Sequence, residues 1–168
     1  DDATGRFLLF TGSPLERIAT TADLDERSLF VPYQPIKHTR LVSDNNFAIH
    51  QSRLKINLAY QNNQRKEYGN PEDVAEEELF FDLKTFNYNI QWQLPEIKEW
   101  HTSFGVNGMH QSNQNKAEEV LIPEYNLFDA GVFVYAQRFF KKATLSGGLR
   151  YDHRSVDSKA FAEGADVK

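Results

Sequence analysis

Residues that could carry out acid–base or metal chemistry are present in this chain, but no spacing gathers them into a site. The acidic run from Glu72 to Glu78 could supply paired carboxylates of the kind that a glycosidase uses. Nothing fixes two of those carboxylates near each other, so we interpret the run as a solvated loop, with a cation site as the alternative. The five histidines are scattered and lack ligand spacing. We therefore expect no enzymatic activity, no metal and no cofactor.

Composition excludes several further classes of protein. The chain has 168 residues, enough for one ordinary domain, and its net charge of -5 predicts no general attraction to nucleic acid. The absence of cysteine excludes thiol catalysis and a disulfide framework. Aromatic residues make up 13% of a chain whose mean hydropathy is only -0.61. Strands in which every ring has a polar neighbour produce that combination.

Apolar and polar residues alternate in three segments, and these segments indicate the strands that would position any functional site. These segments are 54–61, 86–94 and 145–153. A period of two indicates a sheet with one apolar and one polar face. In a soluble domain the apolar face covers a core, whereas in an outer-membrane barrel it faces lipid and the polar face lines the lumen. No apolar stretch approaches the roughly 20 residues of a membrane-spanning helix.

The whole chain is predicted to be all-β, with an antiparallel up-and-down meander of about six strands. We predict strands near 34–49, 54–66, 78–94, 100–112, 126–139 and 143–156. The connectors 50–53, 95–99 and 140–142 are short, whereas 68–77 and 113–125 are longer and rich in Asn and Glu. Up-and-down connectivity places all the short connectors at one end, as in outer-membrane barrels, although a soluble meander can do the same by chance.

The N-terminal region shows no sustained period and is predicted to be a loop with short helical turns. Ser13-Pro14-Leu15-Glu16 has the pattern of a capping box, which predicts a short helix near 14–20, and a second turn is expected near 22–27. A further short helix could start in the long loop at Asn70-Pro71-Glu72-Asp73. Both ends look cut from a longer chain. We divide it into an extracellular-type loop region at 1–33, a barrel segment at 34–158 and a loop remnant at 159–168.

The third predicted strand discriminates best between a lipid-facing sheet and a soluble core. Its apolar face carries Phe86, Tyr88, Ile90, Trp92 and Leu94, and above Phe86 the same face would carry charged residues. About nine patterned residues match a tilted strand that crosses hydrocarbon. Aromatic residues beside the short connectors would form an interfacial girdle: Trp92, Trp100, Phe139 and Phe140. The alternative is that these rings cap a sandwich core. The fifth strand is ambiguous, since both of its sides are apolar.

Several motifs resemble barrel segments of TonB-dependent outer-membrane receptors of the Bacteroidetes type. The resemblance covers roughly residues 30–158 and includes the recurring Gly148-Leu149-Arg150-Tyr151-Asp152 strand. The other motifs that carry it are Val31–His38, Ser43–Phe47, Leu58–Tyr68, Asn107–Met109, Leu121–Tyr125 and Gly131–Gln137.

This resemblance implies a place in the outer membrane of a Gram-negative bacterium. Such receptors are single-chain barrels of about 22 strands that hold a plug domain. They import iron chelates such as siderophores, vitamin B12 or glycans, driven by the TonB energy-transducing complex. The chain lacks the plug, the energy-coupling box and a terminal strand, so transport would belong to the parent protein. Its expected partners are outer-membrane lipid and, through the parent, the plug and that complex.

Ligand contacts, on this interpretation, come from the long loops. The candidate ligand-binding residues are Tyr33, His38, Arg65, Tyr68 and Tyr125, because chelates and glycans are bound by aromatic rings and charged donors. The alternative is an independent soluble β-sandwich that binds a ligand or carbohydrate. An isolated six-stranded sheet would expose two edges and an apolar face, so we expect the separate chain to self-associate or to become compact.

Overall fold

A computed structural model describes residues 5–25 and 31–159 and confirms the six-stranded antiparallel meander. A small pair of strands, β1 (Leu8–Leu9) and β2 (Arg17–Ile18), precedes the short helix α1 (Thr21–Asp25). The main sheet follows, with neighbouring strands adjacent in the order β3 to β8. Its strands are β3 (Ile36–Ile49), β4 (Ser52–Glu67), β5 (Leu79–Gln93), β6 (Trp100–Asn115), β7 (Tyr125–Phe140) and β8 (Ala143–Ser158). β3 and β8 form the two edges, so the sheet is not closed into a barrel.

The helix predicted near 14–20 is wrong, because the capping residues close a turn between two strands. Leu8 pairs with Ile18 and Leu9 with Arg17. The Ser13 hydroxyl accepts a hydrogen bond from the Leu15 amide at 3.1 Å, which uses the cap inside this turn. A short polar side chain that bonds its own neighbours serves turns as readily as helix starts.

The second predicted helical turn is present as α1, and the end predicted for it, at 26–27, lies outside the described residues. No helix begins at Asn70, whose side-chain oxygen instead accepts a hydrogen bond from the Glu72 amide at 2.8 Å within the loop. Among the described residues no helix is long and apolar enough to cross a membrane.

Two compact units can be distinguished by contacts within the chain. The first contains the described parts of residues 1–37, 64–82 and 115–121, and the second those of 38–63, 83–114 and 122–168. Within the first, β1 and β2 pair with each other. The second holds the alternating parts of all six long strands.

The register of β6, β7 and β8 separates the two faces of the second unit. Ser103 lies opposite Tyr135, Asn107 opposite Gly131, and Asp129 opposite Arg154. These residues therefore share one face, which we call the polar face. The opposite, apolar face carries these large side chains, all exposed: Phe104, Val106, Phe128, Val132, Val134, Leu145, Leu149 and Tyr151.

Burial is reversed relative to an ordinary soluble domain. Among the described residues, the only buried large apolar side chain is Leu79, at 1% exposure. The buried polar residues are Asp82, Thr85, Ser103 and Asn113. In contrast, Val132 is 52% exposed and Leu149 78% exposed on the apolar face. The described residues thus contain no hydrophobic core of their own.

The second apolar side of β7 has a local explanation. Phe133 lies on the polar face opposite Gly105, and a Cβ atom on Gly105 would lie 2.8 Å from the Phe133 ring. The Phe133 ring therefore lies over the backbone of Gly105, which has no side chain. Phe133 is therefore accommodated on the polar face by a neighbouring glycine.

Replacing Gly105 with alanine is expected to destabilise the sheet. The new Cβ would lie 2.3 Å from the Ile90 carbonyl oxygen, so two strands must separate. We expect Gly105→Ala to lower the free energy of unfolding by about 1–3 kcal/mol, measured by urea denaturation in detergent micelles. Gly147→Ala is the matched control, because nothing lies within 4 Å of its new Cβ. Equal effects of the two substitutions would contradict this packing.

Candidate functional site

The polar face forms a cavity in the second unit, with a volume of about 860 Å³. All six long strands contribute to its lining. The charged residues of the lining are three arginines and three aspartates: Arg40, Asp44, Asp129, Arg150, Asp152 and Arg154. Side-chain amides lie between them, at Asn57, Asn87, Asn89 and Asn107. The cavity is therefore a hydrogen-bonding surface without a dominant charge.

One group of charges is held together over a glycine. The Arg150 guanidinium donates to the Asp152 carboxylate at 2.6 Å and to the Asn107 side-chain oxygen at 2.8 Å. A Cβ atom on Gly131 would lie 2.2 Å from the Asp152 carboxylate and 2.9 Å from the Asn107 oxygen. Gly131 thus leaves the space in which the charged cluster sits.

A second ion pair joins β7 directly to β8. The Arg154 guanidinium donates two hydrogen bonds to the Asp129 carboxylate, at 2.6 and 2.7 Å. The two residues are cross-strand partners on the polar face. This bidentate geometry fixes the planes of both groups and is the stronger arrangement for such a pair.

Amide hydrogen bonds continue the polar face toward β3. The Asn89 amide donates to the Asn57 oxygen at 3.3 Å, and the Asn57 amide donates to the Asp44 carboxylate. Arginine, aspartate and asparagine in such proximity can bind a polar solute through several hydrogen bonds. The described residues contain no cluster of three or more His, Cys, Asp or Glu side chains that could hold a metal ion.

Two of the predicted ligand-binding residues lie together. The rings of Tyr33 and Tyr68 stack with centroids 4.8 Å apart and planes 10° from parallel. Their backbones also exchange hydrogen bonds of 3.0 and 3.1 Å. In the same unit Arg65 donates to the Gln34 side-chain oxygen at 2.9 Å.

The remaining two predicted residues lie in the second unit. The His38 Nδ1 atom lies 3.0 Å from the Asn63 amide nitrogen. The Tyr125 hydroxyl donates to the Gln111 side-chain oxygen at 2.8 Å. None of the five predicted residues lines the 860 Å³ cavity.

Sequence reasoning found part of the cavity and missed the rest. Arg150 and Asp152 were visible as polar positions in an alternating segment, as were Asn87 and Asn89. Asp129 was missed, because β7 looks apolar on both sides. The available signal was the spacing Arg150-x-Asp152-x-Arg154, which places three charges on one face of a strand.

A local ionic cluster links the last residues of β4 to the long connector that follows, outside the alternating parts of the strands. The Lys66 ammonium and the Tyr68 hydroxyl both donate to one carboxylate oxygen of Glu77. The hydrogen bond from Lys66 lowers the pKa of the Glu77 carboxyl. The same bond raises the pKa of Lys66. The pKa of Tyr68 is raised mainly by burial and, to a smaller extent, by its hydrogen bond to Glu77.

Comparison of the chain with protein-family models, with curated proteins and with solved structures finds no match.

The Glu77 cluster predicts a pH-dependent contribution to stability. Because the pKa of Glu77 is lowered on folding, its contribution is complete above the ordinary value of 4.5 and is lost as pH falls through the folded value. We expect Glu77→Gln to lower the free energy of unfolding by at most about 1 kcal/mol at neutral pH, and by less near pH 3. Urea denaturation in detergent micelles measures the free energy of unfolding at both pH values.

Glu72→Gln is the matched control, since it removes the same charge from the same connector and Glu72 lies outside the Glu77 cluster. It should have little effect at either pH. A Glu77→Gln effect that is the same at neutral pH and near pH 3 would contradict the assignment.

Proposed function

We propose that the chain forms part of the wall of an outer-membrane β-barrel. The observation that carries this proposal is the reversed burial of the second unit, with large apolar side chains exposed on one face and polar groups around a cavity on the other. Lipid supplies the apolar surroundings that the chain itself does not. The polar face then lines the interior of the barrel.

The energetic reason is the size of the exposed apolar face. Removing one large aliphatic or aromatic side chain from water is worth about 1.5–3 kcal/mol. Nine such side chains lie exposed on the apolar face of β6, β7 and β8, namely the eight named above and Phe140. Besides the main sheet, the described part of the chain contains one pair of strands, of two residues each. A sandwich would require a second sheet over this face.

Within that class, we propose a segment of a TonB-dependent receptor for uptake of a metal chelate, siderophore or similar ligand. The ordered motifs from Val31 to Asp152 support this step by resemblance. The six long strands would be a fraction of such a wall. The chain would contribute wall and external ligand-facing loops, and would have no enzymatic activity of its own. The plug and the energy-transducing complex would act through the parent protein.

Single-cysteine scanning tests the lipid-facing assignment. The chain has no native cysteine, so each introduced thiol is unique. Spin labels at Phe128, Val132 and Val134 should be accessible to oxygen in liposomes, whereas labels at Asp129, Phe133 and Tyr135 should be accessible to a water-soluble nickel chelate. The expected result is an alternation with a period of two along β7, measured by electron paramagnetic resonance.

A soluble β-sandwich gives a different result. A monomeric, cooperatively folded chain without detergent, with labels at Val132 and Val134 protected from both reagents, would overturn the barrel-wall proposal. The matched positions on one strand control for labelling and folding, because they differ only in the face that they occupy.

A further inference from the structure

The two kinds of connector in the main sheet differ in charge. Within three residues of the three short connectors there are five basic and two acidic residues: Arg53, Lys98, Arg138, Lys141 and Lys142, against Glu96 and Glu99. Within three residues of the two long connectors there are three basic and nine acidic residues. The net charges are therefore +3 and -6. In a meander, all short connectors lie at the same end of the strands.

One of the basic residues, Arg138, sits among aromatic rings. Its guanidinium lies 5.0 Å from the centroid of the Phe140 ring and 6.0 Å from that of Trp100. The register places Arg138 opposite both Trp100 and Leu145, on the apolar face. The guanidinium is thus held at the end of the exposed apolar surface.

The turn beside Arg138 has a fixed shape. Lys98 and Glu99 have φ angles of 51° and 66°, and Ile97 and Trp100 exchange backbone hydrogen bonds across them. Positive φ at both central residues is the feature of a type I′ hairpin turn. The turn holds the Glu99 carboxylate 3.2 Å from the Arg138 guanidinium. One carboxylate therefore moderates the charge of Arg138.

Phe139 belongs to the opposite face. The register places it with the polar residues of β7, and its ring meets that of His101 edge-on at 5.3 Å. The girdle predicted from the sequence is thus divided, with Trp100 and Phe140 on the apolar face and Phe139 on the polar face. Lys141 and Lys142 follow directly and are exposed.

We propose that Arg138, Lys141 and Lys142, with Trp100 and Phe140, form a binding site for the headgroup phosphate of anionic phospholipids. The inference rests on the proposed barrel-wall function, and it adds which end of the strands meets an anionic lipid surface. Aromatic rings settle at the boundary between headgroups and acyl chains, and basic side chains beside them meet the phosphates. Arginine binds phosphate through its planar set of donors.

A lipid surface fits these residues better than a free anion does. The basic side chains adjoin exposed apolar side chains, including Leu145 and Phe140, instead of surrounding a closed polar pocket. A soluble phosphate would use the charges and leave the apolar surface uncovered. A phospholipid uses both parts, since its headgroup contacts the charges and its acyl chains cover the adjacent face.

Vesicle flotation tests the site in the whole chain. Phosphatidylcholine vesicles are compared with an equimolar mixture of phosphatidylcholine and phosphatidylglycerol. We expect tighter binding to the mixed vesicles, and a loss of that preference of roughly fivefold for each basic side chain removed. Lys141→Gln/Lys142→Gln should thus lose roughly 25-fold, and Glu99→Gln should gain several-fold because it releases Arg138.

The matched control is Lys37→Gln/Lys159→Gln, which removes two positive charges at the other end of the main sheet. It should retain the preference for mixed vesicles. Equal losses in the two double variants, or no gain in Glu99→Gln, would overturn the inference. Competition by inorganic phosphate at matched ionic strength would also overturn it, by showing a free-anion site.

The two proposals fail separately. Equal binding of the wild-type chain to both vesicle types, with no effect of the substitutions, would overturn the headgroup site and leave the barrel wall standing. No binding to either vesicle type would overturn both. Circular dichroism in micelles confirms that each variant keeps its strand content.

Discussion

The register of six paired strands is the constraint on which the rest of this structure depends. In a strand, successive side chains point to opposite faces, so a shift of one residue would move every apolar side chain to the other face. Val132 would then lie toward the cavity and Asp129 toward the apolar side. The glycines depend on the same register, since Gly131 makes room for Asp152 only when the two residues are partners. The strand register therefore determines the polarity of each face, the lining of the cavity and the packing around the glycines.

Much of this sheet could be predicted from the sequence, because its signals are local. Each of the six long strands begins and ends within three residues of the predicted position, since alternation and turn residues act over a few neighbours. The helix predicted near 14–20 was wrong because a capping pattern does not distinguish a helix start from a turn. Tertiary pairing of Leu8 and Leu9 with Ile18 and Arg17 decided between them.

The cavity depended on information that no local pattern holds. Asp129 and Arg154 are 25 positions apart, and only the register of β7 against β8 brings them together. The same holds for Asn107 and Arg150, which come from strands that are not neighbours in the sheet. Aromatic residues near loops were predicted to bind ligand instead, and two of them, Tyr33 and Tyr68, stack on each other. Composition indicates which groups are available, and pairing decides which of them meet.

The equal numbers of arginine and aspartate around the cavity have a consequence for selectivity. Three positive and three negative groups leave little net field, so a solute is neither attracted nor repelled because of its total charge. Close to the lining of the cavity, however, opposite charges alternate between partners on neighbouring strands, as Asp129 and Arg154 do. A solute in the cavity would therefore meet a pattern of local dipoles instead of a uniform field.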